Sequence, residues 1–183
     1  MKILFTICYT FLVGFAFCQQ PTISLIPQPA NLVAGNGAFV LPAGISVAAT
    51  DQKDVIKIQQ MLGTQLSAAS GRPVQYATLG KNNPAHTISL EIVKAGSIEK
   101  EGYRLQVTAA GISLQASEPA GIFYGVQTLL QLLPKEIESK ETTGTASWSV
   151  PFVTIEDQPR FGWRGVMLDV VRHWFTKEQV KDF

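Results

Sequence analysis

Tyr103-Arg104-Leu105-Gln106-Val107-Thr108, followed by Ala109-Ala110-Gly111 and then Ile112-Ser113-Leu114-Gln115-Ala116, is the stretch that decides the fold. Apolar and polar residues alternate on both sides of the break, the period of a strand with one buried face. Gly111 can take the positive φ that a tight reversal needs. The segment reads as a β-hairpin whose apolar side requires something to cover it.

The cover follows directly. Ser117-Glu118-Pro119 opens a helix, since proline is tolerated in a first turn. Ile122, Phe123, Val126, Leu129, Leu130 and Leu133 then form a broad apolar stripe that ends before Pro134. Working back from the hairpin, Thr87-Ile88-Ser89-Leu90-Glu91-Ile92 alternates within a strand spanning His86 to Val93, and a shorter strand signal lies at Pro73 to Tyr76. Before these, Val55, Ile58, Leu62, Leu66 and Ala69 recur at helical spacing from Asp51 to Ser70. Asp51 is a candidate cap, and Gly71 and Pro73 supply the stop. Pro21 to Pro42 carries four prolines and suits an extended stretch with one or two brief strands. The sum is an α/β (α+β) domain: an antiparallel or mixed sheet with two helices on one face. Val55, Leu62, Leu66, Tyr103, Leu105, Phe123, Val126 and Leu130 are its expected core.

Composition sets limits on function. The 183 residues are 46% hydrophobic and 16% charged, enough for one compact core and too few for two large domains. Fifteen basic against fourteen acidic side chains leave +1, with no basic field to attract a phosphate backbone, so nucleic acid is not an expected partner. Two cysteines and the well-separated His86 and His173 offer no zinc-ligand spacing, so no metal site is expected.

Residues 1–18 read as a signal peptide: Lys2, then an apolar run from Ile3 to Cys18 that is short for a transmembrane span. Ala16 and Cys18 are the small residues that cleavage before Gln19 requires, which makes the protein exported, periplasmic or extracellular. Two alternatives stay open: Cys18 as an acylated lipoprotein residue, disfavoured by bulky Phe17, and a membrane anchor, disfavoured by polar Gln19-Gln20.

At the other end, Lys135 to Ser147 is polar and reads as a solvated loop separating two units. Trp148 to Ile155 alternates like a strand or a short pair of strands. Trp163-Arg164-Gly165-Val166-Met167-Leu168-Asp169-Val170-Val171 is largely apolar, as expected of a strand buried on both faces in a parallel barrel. Thr176 and Gln179 stand at the spacing of a capping box that opens a further helix. One strand and the start of one helix make the first unit of a βα repeat, so the expectation is a fragment: signal peptide 1–18, α/β domain 19–156, and the truncated start of a (β/α)8 TIM barrel at 157–183.

Four motifs together resemble glycoside hydrolase family 20, the β-N-acetylhexosaminidases. They are Ile26-Pro27-Gln28-Pro29, Glu101-Gly102-Tyr103-Arg104-Leu105 through Ala116, Gly121-Ile122-Phe123-Tyr124-Gly125-Val126-Gln127-Thr128 through Pro134, and Pro159-Arg160-Phe161-Gly162-Trp163-Arg164 through His173. The resemblance implies an exported exo-glycosidase that removes terminal N-acetylglucosamine or N-acetylgalactosamine from glycans and needs no cofactor. Its chemistry is retaining and substrate-assisted: the acetamido carbonyl attacks the anomeric carbon, an Asp orients it, and an adjacent Glu protonates the leaving oxygen. That consecutive Asp-Glu pair does not occur in these 183 residues, so no catalytic residue is assigned and the fragment is expected to be inactive. Glu156-Asp157 has the reverse order and reads as a solvated pair. A non-catalytic module that binds glycan or packs on a barrel is the alternative.

By the same resemblance Arg164 matches the arginine that hydrogen-bonds the outer hydroxyls of the terminal sugar, a task suited to its fork of donors. Its position near the start of the expected strand leaves the other role open, an ion pair with a carboxylate at the barrel floor. Asp169, Arg172 and His173, at the end of that strand, either line the pocket or hold its floor together. Trp163 and Trp174 either stack on sugar or pack in a core. His86 is expected to be structural or exposed.

Overall fold

Tyr103 to Ala116 does form the hairpin, and it lies in the middle of the sheet. The computed structural model describes residues 23–80, 85–139, 141–143 and 146–182, so the leader expected at residues 1–18 falls outside it. In chain order the elements are β1 (Asn31–Val40), β2 (Ile45–Ala49), α1 (Lys53–Ser70), β3 (Val74–Thr78), β4 (Thr87–Ile92), β5 (Tyr103–Thr108), β6 (Gly111–Ala116), α2 (Pro119–Leu132), a 3-10 turn at Lys135–Glu138, β7 (Ser149–Asp157) and α3 (Lys177–Asp182). The seven strands form one mixed sheet in the order β1-β7-β5-β6-β4-β2-β3. Strands β6, β4, β2 and β3 run parallel to one another, whereas β5–β6, β5–β7 and β1–β7 are antiparallel. Two-residue hairpin geometry pairs Thr108 with Gly111, and Gly111 takes φ +151°.

Both helices cover one face, and the core fills the space between. Val47, Leu62, Leu66, Leu90, Leu105, Leu114, Ile122, Val126 and Ile155 are fully enclosed there, within one continuous apolar cluster. Seven of the eight expected core positions are buried; the exception is Phe123, which is 39% exposed. The stripe on α2 was read from its large side chains, but Gly121 and Gly125 also face the sheet. A Cβ on Gly125 would meet Leu114 Cδ1 at 2.2 Å, so the helix lies close over the hairpin and Phe123 turns outward.

Other expectations need correction. Gln52, not Asp51, is the N-cap of α1, and it makes no side-chain capping bond, while Gly71 does end the helix at φ +69°. His86 precedes β4 rather than lying within it, at φ +63°, with its ring stacked on Phe39 at 5.9 Å. The segment from Lys135 does not separate two units. Ile137 is buried, Thr142 and Thr143 bond back to the carbonyls of Ala68 and Ala69 on α1, and β7 then enters the same sheet between β1 and β5.

The run Trp163 to Val171 forms no strand. A strand exists through its ladder partners, and among the described residues nothing pairs with this run, so Trp163, Val166, Met167 and Val171 are all more than 85% exposed. The capping box beyond it does form: Thr176 N–H donates to Gln179 Oε1 at 2.9 Å, and Gln179 N–H to Thr176 Oγ1 at 3.2 Å. Among the described residues no helix is long and apolar enough to cross a membrane.

Candidate functional site

A cleft of about 560 Å3 opens where α2, the stretch around Pro27 and the segment following β7 meet. Each wall is fixed by local bonding. Gln131, near the end of α2, clasps the Ile26 backbone from both sides, accepting from its N–H and donating to its carbonyl, each at 3.0 Å. Asp157, the last residue of β7, accepts from Ala30 N–H at 3.0 Å and so holds the start of β1. Tyr103 begins β5 beneath the cleft, and its hydroxyl lies 2.6 Å from Thr128 Oγ1 on α2. Burial pushes the Tyr103 phenol up to about 12, with nearby Asp157 adding to the rise.

Arg164 closes one edge. Its Nη2 donates to Glu101 Oε2 at 2.7 Å and to Tyr124 Oη at 3.0 Å, and its Nη1 donates to the Phe161 carbonyl at 2.6 Å. The guanidinium carbon lies 5.6 Å from the centre of the Tyr124 ring. The bond to Glu101, then that to Tyr124, raises the guanidinium above its already high pKa, so it is a permanent cation. Arg164 therefore has a carboxylate partner, one that belongs to the α/β domain rather than to a barrel floor.

The other expected residues do not gather there. Asp169 and Arg172 form an exposed ion pair at 2.6 Å. The hydrogen bond from Arg172 holds the Asp169 carboxyl below the usual carboxylate range, helped by the backbone N–H groups of Val171 and Arg172. His173 is exposed and outside the cleft, and Trp163 and Trp174, at 87% and 90% exposure, neither pack in a core nor border the cleft. Sequence reading missed Glu101 and Tyr124 as partners of Arg164. Both stand inside quoted motifs, but nothing in the spacing along the chain says that a turn residue and a helix residue converge on a guanidinium more than thirty positions away.

The fold matches that of an N-acetyl-beta-hexosaminidase from Streptomyces plicatus, solved in complex with Thio-NAglucal, with a TM-score of 0.76 and 33% identity over 89% of this chain and 32% of that one. The chain thus has the architecture of a domain found within glycoside hydrolases. Residues 22–158 match the family description "Glycosyl hydrolase family 20, domain 2", and the chain belongs to glycoside hydrolase family 20. A beta-hexosaminidase of Porphyromonas gingivalis is 32% identical over 98% of this chain and 24% of its own length. A beta-N-acetylhexosaminidase of Cellulomonas fimi is 30% identical over 88% and 31%, respectively. The chain spans about a quarter to a third of the length of these proteins.

Proposed function

We propose that this chain is the N-terminal part of an exported β-N-acetylhexosaminidase that releases terminal non-reducing N-acetylhexosamine from glycans by substrate-assisted, retaining hydrolysis. Residues 1–18 are its leader, 19–156 the supporting α/β domain and 157–183 the beginning of a (β/α)8 catalytic barrel. The observation that carries this reading is the succession of a family 20 domain over residues 22–158 and an arginine held at the edge of the adjoining cleft. The exposed apolar side chains of Phe161, Trp163, Val166, Met167 and Val171 support it, since a surface of that kind calls for a covering partner. The remaining barrel strands are that partner.

In this mechanism Arg164 binds the outer hydroxyls of the terminal sugar and orients the ring. Asp169, Arg172 and His173, which lie away from the cleft here, belong in this reading to the rim or floor of the pocket that the completed barrel forms. Protonation of the leaving oxygen and orientation of the acetamide belong to an Asp-Glu pair, and no such dipeptide occurs between Met1 and Phe183. The 183-residue chain alone is therefore inactive.

The test compares the 183-residue chain with the product of the whole reading frame on an aryl N-acetyl-β-glucosaminide. Turnover by the extended product and none by the short chain is expected. Activity of the short chain would refute the assignment of catalysis to later residues. An inactive extended product that still binds glycan would favour a non-catalytic module. Mass spectrometry of the exported protein should find Gln19 at its N-terminus; an intact Met1 or an acylated Cys18 would overturn the leader assignment.

A further inference from the structure

We propose that Glu101 and Tyr124 are positioning residues, through which the α/β domain sets the sugar-binding geometry of Arg164. This rests on the reading of Arg164 as a sugar-binding residue and says what aims it. Both partners are anchored in the rigid domain. Glu101 occupies the turn before β5 at φ +59°, and the next residue, Gly102, is packed so closely that a Cβ there would meet the Glu99 and Asp157 carbonyl oxygens at 3.0 and 3.2 Å. Tyr124 sits on α2 between Gly121 and Gly125, where the helix lies so close to the hairpin that a Cβ at either would come within 2.8 Å or less of it.

Arg164, in contrast, is on a segment outside the sheet and reaches the domain through its side chain. The 2.7 Å bond to Glu101 and the 3.0 Å bond to Tyr124 use both hydrogens of Nη2, and Phe161 takes one of Nη1. Among the described residues the Nε hydrogen and the second Nη1 hydrogen have no protein acceptor, and the guanidinium borders the cleft. A planar guanidinium fixed through one nitrogen has the direction of its remaining donors fixed as well. An arginine aimed in this way loses less freedom when it meets hydroxyl groups. The domain then contributes to sugar recognition without touching sugar.

The experiment is a double-mutant cycle in the extended enzyme, reading kcat and KM on an aryl N-acetyl-β-glucosaminide for the parent, Glu101→Gln, Tyr124→Phe, Arg164→Ala and Glu101→Gln combined with Arg164→Ala. Glu101→Gln should lower kcat/KM by about tenfold, mainly through KM, and the loss should vanish in the Arg164→Ala background, because coupled residues are non-additive. Tyr124→Phe keeps the ring and loses only the hydroxyl acceptor, so its loss should be smaller, and it serves in place of Glu101→Gln if that variant does not fold. A loss that persists undiminished in the Arg164→Ala background identifies a merely structural role and overturns the proposal. A Glu101→Gln enzyme like the parent, beside an impaired Arg164→Ala, also overturns it while leaving Arg164 a sugar-binding residue. An Arg164→Ala enzyme like the parent removes the underlying reading itself.

Discussion

Gly121 stands so close to Gly102 that a Cβ at position 121 would come within 2.1 Å of the Gly102 carbonyl oxygen, and within 2.8 Å of the Ala116 Cβ. Backbone cannot yield as a side chain does, so Gly121→Ala must push α2 off the hairpin. Overpacking of this kind costs about 1–3 kcal/mol, more than the ~1 kcal/mol that alanine gains over glycine in a helix. Gly63→Ala on α1 has the opposite expectation. The nearest atoms to its Cβ are those at the far end of the side chain of Tyr76, a residue 48% exposed; if that ring shifts outward, the net gain is up to about 1 kcal/mol. Urea midpoints at constant m-value distinguish the two.

Tyr103 carries a pH dependence. Its phenol ionises near 10 in the unfolded chain and near 12 in the fold, where burial opposes the charge. Between those values the unfolded state holds fewer protons than the native one, so stability falls as pH rises from about 10 to 12 and is unaffected by this group below 10. Each pH unit of separation is worth about 1.4 kcal/mol in full. Tyr103 is buried but lines the cleft, and its hydroxyl keeps Thr128 Oγ1 as a partner, so a loss of about 1–2 kcal/mol, less than the full separation, is expected. Melting curves from pH 8 to 12 should show that fall in the parent and a shallower one in Tyr103→Phe.

How far the sequence could be read depended on which force fixes each element. Strands with one buried face, such as β5 and β6, announce themselves by alternation. Ile45–Ala49 gave no such signal, because β2 lies between parallel neighbours and Val47, Ala48 and Ala49 are all buried. In α2 the large side chains located the helix and misplaced its face. Including Gly121 and Gly125 rotates the buried centre by roughly 25° at 100° per residue, away from Phe123, which turns out. Arg164 was legible as a motif residue, but its partner Glu101 is 63 residues away and joined to it only by the fold. Asp169 and Arg172 are only three apart, so their ion pair is a local relation that needs no tertiary structure, and it forms exposed rather than at the end of a buried strand.

Gln59 is a buried polar residue on the apolar side of α1, only 4% exposed, and its Nε2 donates to the carbonyls of Val47 at 2.7 Å and Ala77 at 2.9 Å. One amide thereby joins the helix to two adjacent strands. Gln59→Leu keeps similar bulk but withdraws the donor from both carbonyls, of which that of Val47 is buried; this should cost about 1–3 kcal/mol. Chemical denaturation measures it, and a change below about 0.5 kcal/mol would mean that water takes over the bonding.

The bond between Arg164 and Glu101 also predicts a cleavage order in the 183-residue chain. Trypsin must draw an arginine and several flanking residues into an extended conformation in its own site, so a side chain held elsewhere slows attack. Arg172 has a side chain 83% exposed and an exposed partner three residues away, whereas that of Arg164 is 39% exposed and held by Glu101, Tyr124 and the Phe161 carbonyl. Cleavage after Arg172 should therefore precede cleavage after Arg164. Glu101→Gln removes the charge that holds the guanidinium and should narrow the interval between the two cuts without changing the rate at Arg172. Timed digestion read by mass spectrometry gives both rates. Equal rates in the parent, or an interval unaltered by Glu101→Gln, would show that the ion pair does not restrain Arg164 in solution.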